Sequence, residues 1–329
     1  MNKLTVFTWL FFCTMFVGCL QEGSRVQPTS LRNVTSNSLP LELIWSAKAT
    51  LAASGTPMAC SGKHGVIAGI MSQENKELEG TILFDKAGNV LWHKPEQNPS
   101  AVALDDEQVF VYKVETIPNI VAYEIESGTQ RWASGEALDY RQGIPFLNVE
   151  NGRLNYRSTD QINDYDTNNG TLLSGESVPT ENLYLRQSGI DIYDGNGYHL
   201  YATVAGEPQT YLWATEFDIG LSPHVFNDAL IVRMRQQVCS LKLDDGQINW
   251  CSDKQINSNI AVYGEIGYVL NFDGQLVAFR LNDGLDVGSV EFSSTTPASG
   301  NFITTCDGHL LAHLRSPDQV FWFDFIDAD

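Results

Sequence analysis

From residue 41 onward, short apolar runs alternate with polar turns rich in Asp, Asn and Gly. No stretch there repeats its apolar residues at the spacing of an amphipathic helix. Short runs bounded by such turns predict β-strands joined in hairpins. One unit recurs: an apolar strand, a turn ending in Gly, and a second strand closing on Trp. It reads FDKAGNVLW (Gly88, Trp92), YEIESGTQRW (Gly128, Trp132) and LKLDDGQINW (Gly246, Trp250), and Gly and Trp stand four residues apart each time. Weaker copies are DYDTNNGTLLS, where Gly170 is kept and Ser174 replaces the Trp, and FRLNDGLDVG, with Gly284 and then Gly288. The glycines at 88, 128, 170, 246 and 284 are separated by 40, 42, 76 and 38 residues. Because 76 is twice 38, one further copy is expected near 208, where AGEPQTYLW ends in Trp213.

A second unit precedes each of these: a strand, a tight polar turn and another strand. It reads ACSGKHGVIAGI, ALDDEQVFVYKV, NVENGRLNYRS, IYDGNGYHLYATV, VFNDALIVRMR, VYGEIGYVLNF and TTCDGHLLAHL, seven copies in all. Together the two units supply four antiparallel strands per period of about forty residues, the pattern of a β-propeller blade. The expected fold class is all-β: a single β-propeller over residues 41–329 with seven four-stranded blades, eight being the alternative count. An all-β solenoid would show a shorter repeat. In this arrangement Trp45, Trp92, Trp132, Trp213 and Trp250 are blade-packing anchors. The last unit is followed by VFWFDFID and no fourth strand, while LELIWS (Leu41 to Ser46) stands without a partner. If this N-terminal strand completes the C-terminal blade, the ring closes and no sheet edge is left free.

The first residues are of another kind. Lys3 precedes an apolar stretch, Leu4 to Val17, shorter than the roughly twenty residues of a membrane-spanning helix and suited to a signal-peptide core. Phe16-Val17-Gly18-Cys19 resembles the lipobox of bacterial lipoproteins, whose cysteine is acylated and becomes the first residue after cleavage. The resemblance implies a lipoprotein signal peptide over 1–18 and lipidation, with palmitate among the acyl chains, at Cys19. Several acyl chains on one cysteine anchor stably where a single chain would not. Leu20 stands where an Asp would mark inner-membrane retention, which implies sorting to the outer membrane with the folded body on its periplasmic face. Residues 19–40, rich in Ser, Asn, Thr and Pro, read as the acylated cysteine and a flexible tether reaching roughly 25 Å.

The Tyr/Leu-x-x-x-x-Gly-x-x-x-Trp units resemble the quinoprotein (PQQ-like) propeller repeat over the whole chain beyond the tether. A propeller of this kind behind a lipobox resembles the BamB family of outer-membrane assembly lipoproteins, in which eight blades are usual. This implies a monomeric protein-interaction scaffold with an envelope protein partner, the β-barrel assembly machinery in the narrower reading. It does not imply quinone chemistry, since quinoprotein dehydrogenases are longer and carry a vicinal cysteine pair, and no two cysteines are adjacent here.

Twenty Lys and Arg against forty Asp and Glu leave a net charge of −20, which repels a phosphate backbone and excludes nucleic acid as a partner class. A docking partner is expected to present a basic surface. Cysteine spacing offers no CxxC pair, so a zinc ribbon or thioredoxin-type site has no support. In an oxidising compartment Cys60, Cys239, Cys251 and Cys306 can pair. Cys239 and Cys251 flank one hairpin, and Cys60 and Cys306 hold matching positions in the first and last blades. Either alternative pairing would join blades that are not neighbours. Setting Leu241 and Leu243 on one face with Ile248 and Trp250, however, leaves Cys239 and Cys251 on opposite faces, and free buried thiols are the alternative.

No GxSxG, P-loop or HExxH motif is present. His309 and His313 have an HxxxH spacing, but on a strand they stand about 13 Å apart, too far to share a metal. Asp164, Asp166, Asn168 and Gly170 look like the opening of a calcium loop, yet Gly170 and Glu176 are one position out of register and the segment aligns with the repeat turns. The expectation is therefore a protein that is not an enzyme, with no catalytic residue, cofactor or metal. A periplasmic enzyme or a sugar- or ligand-binding propeller using the central channel is the competing class. That reading needs charged groups on the innermost strands, where the sequence is mostly Ala, Val, Leu, Ile and Phe.

Overall fold

The computed structural model describes residues 34–326 apart from 52–56, 74–75, 96–98, 115–116, 136–137, 139–145, 159–160, 178–181, 188, 195–198, 217–218, 293–300 and 316–317. The expected signal peptide and Cys19 lie outside the described residues. All regular structure among the described residues is β-strand, and the strands assemble as a β-propeller.

The antiparallel sheets spanning 99–133, 146–177, 182–216 and 219–251 have four strands each, in chain order from the centre outward. A fifth sheet, 261–292, has the same order and gains Val34–Asn37 on its outer edge. Blade formation follows from burial on both faces. Pro99–Leu104 and Gln108–Lys113 are buried along nearly their whole length, as central strands sandwiched between neighbouring sheets must be. The outer strand Gln130–Ala133 buries only Trp132. First strands line the centre and pack on one another, as the one beginning at Pro99 does against Met58–Cys60 and Phe146–Glu150.

The remaining strands do not separate into two further four-stranded sheets, so five blades stand apart where seven were expected. Those remaining strands form one continuous eight-stranded sheet. The cause is strand length. Leu41–Leu51 has 11 residues, about twice the usual strand. Leu41 to Lys48 pair antiparallel with Gln319–Phe325, so the N-terminal strand does lie in the C-terminal sheet. Lys48 to Leu51 then pair with Ser72 to Gly69 of His64–Gln73, itself 10 residues long. One strand thus belongs to both halves.

The tether boundary at 40 is also corrected. Val34–Asn37 is a strand paired with Asp286–Phe292. Ser38 exchanges backbone and hydroxyl hydrogen bonds with Ser289, Asn37 Oδ1 accepts from Leu39 N, and Leu39 is buried over Gly288, which stands where the repeat has Trp. The N-terminal segment fills the place of the missing side chain.

The core is a series of layers between sheets. One layer joins Phe110, Tyr112 and Trp132 to Leu147, Tyr156 and Tyr165, and another holds Trp45, Phe84, Met71 and Trp322 across the eight-stranded sheet. In the latter, Trp45 meets Phe84 edge-on at 4.9 Å and stacks on Trp322 at 6.1 Å. Such pairs contribute about 0.5–1.5 kcal/mol beyond the area they bury.

Candidate interaction surface

The Gly and Trp of the repeat meet across sheet boundaries, or in the case of Gly88 and Trp45 across the two halves of the eight-stranded sheet. Each repeat glycine at 88, 128, 170, 246 and 284 has φ between 64° and 81°, a left-handed backbone that glycine adopts without steric cost. A Cβ at Gly88, Gly128, Gly170, Gly246 or Gly284 would strike Trp45, Trp92, Trp132, Trp213 or Trp250 respectively, each the tryptophan of the preceding unit. The first four tryptophans are buried and Trp250 is half-buried. Three of them donate Nε1–H to a carbonyl in the next turn: Trp92 to Ile125, Trp132 to Thr167 and Trp213 to Leu243, all at 2.8 Å. Where Ser174 replaces Trp, the facing hairpin shrinks to a turn at Ala205-Gly206, and a Cβ on Gly206 would meet nothing within 4 Å. The partners are lost together, as a mutual contact requires.

The same turns build one face. In an antiparallel four-stranded blade the first–second and third–fourth turns lie at one end. Here they are bonded to each other through Lys86 N to Lys63 O, Ile125 N to Glu107 O, Thr167 N to Gly152 O, Ala205 N to Gly189 O, Leu243 N to Asp228 O, Leu281 N to Glu265 O and Phe325 N to Gly308 O. The turns of this face carry Asp105, Asp106, Glu107, Glu126, Asp228, Asp244, Asp245, Glu265, Asp283 and Asp307 against Lys63 and Lys86, and Arg131, Lys242 and Arg280 reach in from the strand ends to pair with Glu107, Asp245 and Asp283. Part of the acidity is turn chemistry. Asp105, Asp245 and Asp283 accept backbone N–H groups two residues on, which folds the loop. The carboxylates of Asp106, Glu126, Asp228, Asp244, Glu265 and Asp307 make no hydrogen bond among the described residues, and all are exposed. They are available to a partner.

An apolar spot interrupts this face. Tyr263 and Phe325 end their strands side by side with rings stacked 4.1 Å apart, next to exposed Ile326. The two rings lie 62 residues apart in the chain, so no local pattern announced them. The opposite end is mixed in charge. Arg235 and Arg315 sit in its turns beside Asp273 and Asp318, and a pocket of about 470 Å³ opens there, lined by Arg233, Arg235, Gln236, Gln237 and Gln255.

At the seam of the eight-stranded sheet, Cys60 is joined to Cys306 with Cα atoms 5.6 Å apart. His309 lies beneath, bonded through Nδ1 to Asp324 and through Nε2 to the Gly62 carbonyl at 2.8 Å. His313 Nε2–H donates to Ala49 O at 2.9 Å, and burial pushes its pKa down to about 4. Burial also lowers that of His64. His309 and His313 both lie on His309–Leu314, the strand expected, and serve packing across the seam. Among the described residues no group of His, Cys, Asp or Glu could hold a metal. Asp164 and Asp166 spend their carboxylates on Asn155, Ser174 and the Asn168 N–H.

Cys239 and Cys251 are joined as well, with Cα atoms 4.1 Å apart. The opposite-face objection fails because the ladder slips between Ser240 and Leu241: Leu241 faces Ile248, but Ser240 faces Trp250 and Cys239 faces Cys251. A β-bulge at Asn249 turns the cysteines to the same side.

No family model and no curated protein matches the chain. Solved structures do. BamB from Moraxella catarrhalis is similar at 12% identity, over 87% of this chain and 100% of that one, with a TM-score of 0.51. The Cps50 (Swd1) β-propeller domain of Myceliophteria thermophila is similar at 9% identity over 87% and 99%, with a TM-score of 0.58. A chain of a mitotic checkpoint complex is similar at 11% identity over 87% and 96%, with a TM-score of 0.59. At these identities the likeness is one of fold: this chain is a β-propeller.

Proposed function

We propose that this protein is a non-catalytic interaction scaffold, anchored to the outer membrane through acylated Cys19, whose propeller holds an envelope protein partner in the periplasm. The observation that carries the reading is the turn face. Its loops are locked to one another by the recurrent turn-to-turn bond, so the exposed carboxylates sit on a rigid platform that pays little ordering entropy on binding. The eight-stranded sheet is read as the last and first blades merged through Leu41–Leu51, giving a closed ring of seven. The turn-to-turn bond recurs twice within that sheet, at Lys86 and at Phe325, which supports this count. Likeness in fold to BamB favours outer-membrane protein assembly as the setting and the β-barrel assembly machinery as the narrower partner. A channel enzyme is disfavoured because an inner strand such as Pro99–Leu104 is apolar and buried.

The test is crosslinking in cells of an epitope-tagged full chain, followed by purification and identification of what is attached. Recovery of one envelope protein at near-equal stoichiometry is expected. Recovery of none, or oxidation of alcohols or sugars by the purified protein given quinone and calcium, would overturn the reading.

A further inference from the structure

We propose that the partner docks on the turn face at the junction of the 261–292 sheet and the C-terminal strands, through Tyr263, Phe325 and Ile326, and that it presents a basic segment bearing an apolar side chain. This rests on the scaffold reading and adds to it the face and the chemistry of the partner. Phe325 packs at a tilt on Tyr268, ring centroids 5.5 Å apart, and stacks flat on Tyr263. The stack is held rigidly, since Phe325 N donates to Gly308 O and Ile326 N donates to Pro40 O. Even so, Tyr263 is 39% and Ile326 52% exposed. A fixed aromatic shelf in water, beside a second apolar side chain, is the arrangement of a binding anchor that loses little freedom when covered.

What surrounds the shelf selects the occupant. Glu265 lies two residues from Tyr263, Asp307 stands in the adjoining turn, and both are exposed without hydrogen-bond partners among the described residues. No Lys or Arg occupies either turn, and Arg280, in register with Ile266 on the neighbouring strand, is already paired with Asp283. A bare apolar segment would strand these carboxylates at the rim, and an acidic one would be repelled. A segment with Lys or Arg flanking an apolar residue satisfies both features, with the apolar contact giving affinity and the charges steering approach.

The experiment uses the purified full chain in detergent and, as probe, a fluorescein-labelled peptide of alternating Lys and Leu, with a Glu-for-Lys peptide as comparison, read by anisotropy. Tyr263→Ser with Ile326→Ser is expected to weaken Lys/Leu peptide binding about tenfold or more. Ile117→Ser, exposed at the other end of the disk, should leave binding unchanged. Glu265→Lys with Asp307→Lys, which alters only exposed turns, should weaken binding and flatten its salt dependence. Binding as in the unaltered protein by either double variant, or equal binding of the Glu peptide, would overturn the proposal. Cell crosslinking separates the two levels: undiminished partner recovery by the Tyr263→Ser, Ile326→Ser variant overturns the face alone, whereas no recovery by the unaltered protein overturns the scaffold reading itself.

Discussion

Replacing Gly170 with Ala isolates the contact between repeat glycine and tryptophan. Its φ is +70, so Ala there carries the left-handed penalty of about 1–2 kcal/mol. The added Cβ would also stand 2.4 Å from Trp132 Cε3 and 2.7 Å from Cδ2, distances at which the indole must move. Overpacking of this kind costs about 1–3 kcal/mol, and displacing the ring strains the 2.8 Å bond from Trp132 to Thr167 O, which contributes about 1 kcal/mol. Gly170→Ala should therefore cost about 3–5 kcal/mol. Gly152→Ala in the same sheet, at φ +73 with nothing within 4 Å, should cost only the backbone penalty. The assay is urea unfolding followed by far-ultraviolet circular dichroism. In a Trp132→Leu background the two alanine substitutions should converge, giving a coupling of about 2 kcal/mol for the Gly170–Trp132 pair. Equal losses for Gly170→Ala and Gly152→Ala in the unaltered background would refute the interlock.

Three further outcomes are expected. Removing the Cys60–Cys306 link with serine at both positions should destabilise by about 5 kcal/mol, because its ends are 246 residues apart, against about 3 kcal/mol for the Cys239–Cys251 link across 12; denaturant midpoints of the two double variants rank them, and four reactive thiols in denatured, unreduced protein would refute both links. His313 is neutral in the fold down to about pH 4 while the unfolded chain takes up its proton from about 6.5, so stability complete above pH 6.5 should be lost as pH falls toward 4, by about 3 kcal/mol in all; His313→Gln should flatten that slope between pH 6.5 and 4.5, and an unchanged slope would show that another group sets it, such as His224, a half-buried histidine bonded to Ile260 O whose pKa desolvation also lowers. Cys19→Ser should move the protein from the membrane to the soluble periplasmic fraction, and retention in membranes would refute the lipid anchor.

The period, the strands, the turn glycines and the tryptophan anchors were legible in the sequence because each is local: Asp or Asn opens a turn, Gly closes it in the left-handed region, and an apolar run of five or six residues is buried wherever the next blade stands. The acidity of the turn face was legible for the same reason, since the residues that make these turns are those that carry the charge. Other features depended on what each segment meets. Leu41–Leu51 reads as one strand, and only its neighbours on both sides made it the bridge that fuses two sets of strands into eight. Val34–Asn37 has the composition of a linker and became a strand because Asp286–Phe292 offered it an unpaired edge and Gly288 left room for Leu39. The Cys239–Cys251 pair turned on a bulge at Asn249, which no alternation of side chains records. Tyr263 and Phe325 form a surface only because the 261–292 sheet packs against the C-terminal strands and brings together two strand ends that the chain keeps 62 residues apart. Local chemistry writes the repeat, and long-range pairing decides where the repeat is interrupted and what is left exposed.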